Sequence, residues 1–115
     1  MKLWIDDARP APEGYVWCKN VNDAIITIKL REERIENIFR SYTPSETRMK
    51  DLSIQIIDIG HDAGSYALPD SDYINLLDWL EETDRNYPIH IHSNNPVVIE
   101  NMRKIIQRNG WTEVK

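Results

Sequence analysis

Asp6 and Asp7 stand side by side directly after a short apolar run. Two adjacent carboxylates repel unless a cation or a basic group lies between them, so the pair is a candidate seat for a divalent ion. The same dipeptide also suits a turn or a helix cap. All three histidines of the chain, His61, His90 and His92, fall with Asp58 and Asp62 at or just beyond the ends of two Ile-rich segments. His90 and His92 are two residues apart and on a strand would share a face, a spacing that supplies two metal ligands, or one ligand and one acid–base group. His90 reads better as a hydrogen-bonded histidine that supports the fold, and His92 as the functional one. Ser93, Asn94 and Asn95 precede Pro96, and a helix starting there offers free amides and a dipole to an anion. Asn94 or Asn95 also serves there as a plain N-cap. Cys18 has no base near it in the sequence and reads as a small buried apolar residue. GxGxxG, P-loop, GxSxG and CxxC signatures are absent, as are the paired His-x-Ser/Thr elements of two-histidine phosphoesterases.

These residues need strands to carry them. Residues 2–5 (KLWI) read as a first strand and ARPAPEG, rich in Pro and Gly, as a loop. Residues 15–19 (YVWCK) read as a second strand. Ala24, Ile25, Ile28, Ile35 and Ile38 then recur at helical spacing and predict a helix over about 21–40, capped by Asn20 or Asn22. The polar stretch 41–51 shows no period and reads as a surface connection, and 53–59 (SIQIIDI) as a strand covered on both faces. Asp70, Ser71 or Asp72 caps a helix with Ile74, Leu77, Trp79 and Leu80 inward; Ile89 to His92 is a fourth strand; Pro96 opens a helix ended by Asn109-Gly110; Trp111 to Val114 is a final short strand. The four tryptophans all sit in apolar segments and read as core. The order predicts a single three-layer α/β domain over residues 1–115, flavodoxin-like or receiver-like. Its mostly parallel five-stranded sheet, in the order 2-1-3-4-5, would carry helices on both faces and gather ligands at the carboxyl ends of the strands.

Composition sets limits on partners. With 115 residues, 41% of them hydrophobic, there is material for one core. A net charge of −5 excludes an extended basic surface for a nucleic-acid backbone, while a small anion remains compatible. One cysteine, no apolar run of signal-peptide length and no segment of membrane-span length lead us to expect a cytoplasmic protein with no membrane partner.

The stretches LWIDDARPAPEGYVWCKNV, IDIGHDAG, YINLLDWLEE and PIHIHSNNPVVIENMRKIIQRNGW resemble the cyclic-phosphate processing receiver domain family over nearly the whole chain. The resemblance implies a receiver-like fold whose first helix is replaced by a loop, and processing of cyclic-phosphate ends in connection with RNA repair. The family's motif residues fall here on Asp6, Asp7 and Arg9, on His61 and Asp62, and on His92, Ser93 and Asn95. Two positions depart from the family: Gly60 stands where relatives carry the first Asp of a Leu-Asp-His-Asp motif, and Val98 where they tend to have Gly.

The expected chemistry is thus metal-dependent processing of a phosphate or cyclic phosphate, such as an RNA end. Asp6, Asp7 and Asp62 would hold Mg²⁺ or Mn²⁺, His61 or His92 would act as acid or base, and Arg9, Ser93 and Asn95 would bind the substrate. The alternative is a non-catalytic receiver-like binding or regulatory module. A phosphoaccepting regulator fits less well, because only Asp58 and Lys115 could serve as its acceptor and lysine.

Overall fold

The structure, a computed structural model, describes residues 1–60 and 73–115. Among these residues four strands form one parallel sheet in the order β2-β1-β3-β4: β1 (Lys2–Ile5), β2 (Tyr15–Cys18), β3 (Ile56–Ile59) and β4 (Ile89–Ile91). Among the described residues four helices accompany them: α1 (Val21–Ser41), α2 (Glu46–Leu52), α3 (Ile74–Glu82) and α4 (Pro96–Asn109). The α/β receiver-like plan stands. The fifth strand does not form as such: residues 111–114 contribute an isolated parallel bridge, Ile89 to Glu113, beside β4.

Alternation along the strands divides the sheet. Leu3, Ile5, Cys18, Ile57, Ile59 and Ile89 point to one side and are buried in a single cluster with Ala24 and Ile28 of α1, Leu76, Leu77 and Leu80 of α3, and Met102, Ile105 and Ile106 of α4. The three longer helices therefore share one face. Lys2, Trp4, Tyr15, Trp17, Ile56, Asp58 and His90 point the other way, outside that cluster. Where helices on both faces were expected, none of the three longer helices among the described residues packs on this second face, and the cause is local. Parallel neighbours usually need a helix to cross over, but β1 and β2 are joined by residues 6–14, which Pro10, Pro12 and Gly14 (φ 86°) keep from being helical. It also corrects the expectation for the tryptophans: Trp79 and Trp111 pack on the core, whereas Trp4 and Trp17 lie on the other face.

The polar stretch after α1 contains a helix that its lack of period concealed. The Ser45 hydroxyl accepts from the Arg48 amide to cap α2, and Leu52 is buried at its end. α4 is bounded as expected, by Asn95 at its start and Gly110 in the left-handed region (φ 67°) at its end. Asp70, Ser71 and Asp72, expected to cap α3, lie outside the described residues. No helix among the described residues is long and apolar enough to cross a membrane.

Candidate functional site

The register across the sheet sets the site. Trp4 pairs with Asp58 and Asp58 with His90, so two residues further along, Asp6, Gly60 and His92 stand abreast at the carboxyl ends of β1, β3 and β4. Gly60 has no side chain, and the His92 ring occupies the space above it: a Cβ at position 60 would stand 2.4 Å from His92 Nε2 and 2.7 Å from Asp6 Oδ2. Across that gap His92 Nε2 meets Asp6 Oδ2 at 3.0 Å, while Nδ1 meets Asp58 Oδ1 at 2.5 Å. Trp4 stacks on the imidazole with ring centroids 3.8 Å apart and planes within 5°. A ring facing a carboxylate at each nitrogen satisfies both acceptors only when both nitrogens carry hydrogens.

Asp6 is fully buried, yet its charge is well supported. Burial pushes its carboxyl up, but the Arg9 and Ala8 amides, which donate to Oδ1 at 2.9 and 2.8 Å, and His92 outweigh it and hold it below the usual carboxylate range. The turn that delivers those amides is fixed at both sides by indoles, Trp17 Nε1 donating to the Asp6 carbonyl and Trp4 Nε1 to that of Arg9. The Arg9 guanidinium reaches back to the His92 carbonyl at 3.4 Å, which puts a cation beside the imidazole.

The other expected residues are placed differently. Asp7 is exposed and its carboxylate accepts from Tyr73, whose hydroxyl is pushed far up, first by burial and then by that charge. Ser93 Oγ accepts from the Asn95 amide at 3.1 Å, and Asn95 Oδ1 accepts from the amides of Val97 and Val98, so both side chains build the start of α4. His90 Nδ1 donates to the Val114 carbonyl at 2.8 Å, the supporting role read for it. Cys18 is buried, and burial pushes its thiol up, unlike a nucleophile. His61 and Asp62 lie outside the described residues.

The donors described here do not suit Mg²⁺ or Mn²⁺. Asp6 has both oxygens engaged internally, Asp7 is turned to Tyr73, and among the described residues no three His, Cys, Asp or Glu side chains converge on one point. An ion at Asp6 would have to displace His92. Asp58, by contrast, was not among the expected site residues although it holds the imidazole. The signal was its place two residues before Gly60 on the same strand face, where one position supplies a carboxylate and the other supplies room.

An imidazole between two buried carboxylates, with an arginine beside it, is suited to moving a proton at an anionic ligand. The family model of the cyclic-phosphate processing receiver domain matches residues 1–108. No curated protein and no solved structure matches the chain. Taken with the parallel receiver-like sheet, the match over nearly the full length means that the chain belongs to the cyclic-phosphate processing receiver domain family.

Proposed function

We propose that this domain processes phosphate or cyclic-phosphate ends of the kind met in RNA repair, opening the cyclic ones, with His92 as its acid–base group. The observation that carries the reading is the Asp58–His92–Asp6 chain at the carboxyl edge of the sheet, where α/β domains of this type bind ligands. Opening a cyclic phosphodiester adds water at phosphorus and releases one ring oxygen, which must take up a proton. His92 Nε2 donates that proton once the ligand phosphate draws it from Asp6, and the proton lost by the attacking water passes to solvent, from which Nε2 is recharged. Asp58 keeps the ring oriented through Nδ1. Arg9 and the Ser93 hydroxyl are the groups near His92 able to bind phosphate oxygens, and Arg9 does so as a planar cation. Asn95 is left to its capping role.

The test is hydrolysis of a nucleoside 2′,3′-cyclic phosphate followed by phosphorus NMR, with EDTA, Mg²⁺ and Mn²⁺ in parallel. Turnover is expected, and His92→Ala should lower it about 10²- to 10⁴-fold. Asp58→Asn should lower kcat with little change in KM. An inactive wild type under all three conditions, or a His92→Ala variant as fast as wild type, would refute the reading. A requirement for Mn²⁺ or Mg²⁺ would point to a rearranged site in which His92 has left Asp6.

A further inference from the structure

We infer that the sheet face opposite the three longer helices is a stacking platform for the unpaired bases of a single-stranded RNA whose 3′ end lies at His92. Among the described residues none of the three longer helices covers this face, and its residues are not those of an ordinary helix-packing surface. Three aromatic rings, Tyr15, Trp4 and Trp17, lie on the two adjacent strands β2 and β1. Trp4 meets Tyr15 edge to face at 6.0 Å, and Trp17, on the edge strand, is 38% exposed. A helix would need a carpet of branched aliphatic residues, and Ile56 is the one such residue on this face of the three paired strands β2, β1 and β3.

Charge narrows the occupant further. The chain is acidic overall at −5, yet the cations on this face sit against its rings: Lys2 Nζ lies 5.5 Å from the Tyr15 centroid and Lys19 Nζ 4.6 Å from that of Trp17. Rings offer stacking to bases on the faces the lysines leave open, and the lysines lying over them offer charge to the phosphates between, the combination by which single-stranded nucleic acid is held without sequence readout. Trp4 links the rings to the candidate site, since one of its faces stacks on His92. From the row of Lys2 to the row of Asp6 is roughly 13 Å, four strand residues at about 3.3 Å each. A strand lying along it therefore presents its terminal phosphate at the imidazole. The identity of the end as RNA rests on the function proposed above; the stacking surface does not.

The experiment uses the whole chain and a fluorescein-labelled six-nucleotide single-stranded RNA with a plain 3′-hydroxyl, which cannot be hydrolysed as a cyclic phosphate. Binding is read by anisotropy and by quenching of tryptophan emission. Saturable binding is expected, weakening with salt, and absent for a double-stranded RNA of the same sequence. Trp17→Ala should weaken it about 5- to 150-fold, the loss of one stacked base, while Trp17→Phe, which keeps a ring, should retain most of it. Lys2→Ala and Lys19→Ala should each lower the salt slope by about 0.7. If the RNA fails to bind, or binds Trp17→Ala, Lys2→Ala and Lys19→Ala as well as wild type, the platform is refuted, and hydrolysis of a mononucleoside cyclic phosphate would still uphold the function above. Ring-dependent RNA binding without any hydrolysis upholds the platform and refutes that function. Sedimentation showing a dimer that Trp17→Ala dissolves would assign the face to a second copy and overturn the inference. Thermal melts of each variant confirm that the fold is intact.

Discussion

Gly60→Ala isolates the feature on which the site depends. A Cβ added at position 60 would lie 2.4 Å from His92 Nε2, 2.8 Å from its Cδ2 and 2.7 Å from Asp6 Oδ2. Neither neighbour yields easily: the imidazole is stacked on Trp4 and held by Asp58, and Asp6 is fixed by two backbone amides. The ring must move and the His92–Asp6 contact must break. A lost hydrogen bond to a charged group costs about 1.5–3 kcal/mol, and overpacking a filled site costs about 1–3. Both describe one displacement, so they are not summed. Gly60 does not have a positive φ, so no backbone strain opposes alanine, and restricting the unfolded chain returns about 0.4–1 kcal/mol. The net expectation is a loss of about 1–3 kcal/mol, or roughly 4–12 °C in Tm for a domain of this size. Urea and thermal unfolding measure it, with an unchanged m-value as the sign that the native state alone is affected. In a His92→Ala background the same substitution should cost clearly less, because its main obstacle is gone. A Gly60→Ala protein as stable as wild type, or an equal cost in both backgrounds, would refute the reasoning. Gly60→Asp meets the same obstacle, so it is expected to unseat His92 instead of adding an acidic ligand beside it.

Asp6 sets the acid limit. Its carboxyl is held below the ordinary value in the folded chain, so its contribution to stability is complete above that ordinary value, about 3.9, and is lost as pH falls through the folded value. Urea midpoints measured from pH 6 to pH 3 should therefore fall more steeply for wild type than for Asp6→Asn. Asn95→Ala removes the acceptor for two amides at the start of α4 and should cost about 1 kcal/mol in urea unfolding, with KM for a cyclic phosphate unchanged if capping is its whole role.

The parts of the fold that depend on period and punctuation could be read from the chain. Ala24, Ile25 and Ile28 mark α1, and Asn95-Pro96 and Gly110 bound α4. What could not be read was tertiary. α2 is seven residues long, too short to show a period, and is betrayed only by its Ser45 cap. Trp4 and Trp17 are apolar by type, and no local pattern tells that the three longer helices all pack on the opposite face. In the site, Asp6 and His92 were recognisable by residue type and strand-end position, and Arg9 through the family's motif. Asp58 was not, because its role depends on Gly60 leaving room for a ring that comes from another strand. Ser93 and Asn95 look the same in sequence whether they bind a ligand or close a turn, and their hydrogen bonds are those of a turn.

The imidazole that lies across Gly60 also has a kinetic meaning. It joins β1 to β4, which are separated in the sheet by β3, and its two ends are 86 residues apart in the chain. So distant a contact carries a large loop-closure cost and forms only after β3 has docked between the two strands. Interactions made late are absent from the folding transition state and act by holding the native state shut. Gly60→Ala should accordingly speed unfolding by nearly the whole factor by which it lowers stability, while the refolding rate hardly changes. In stopped-flow urea chevrons that is a φ-value near zero, and a value near one would place the clasp in the folding nucleus.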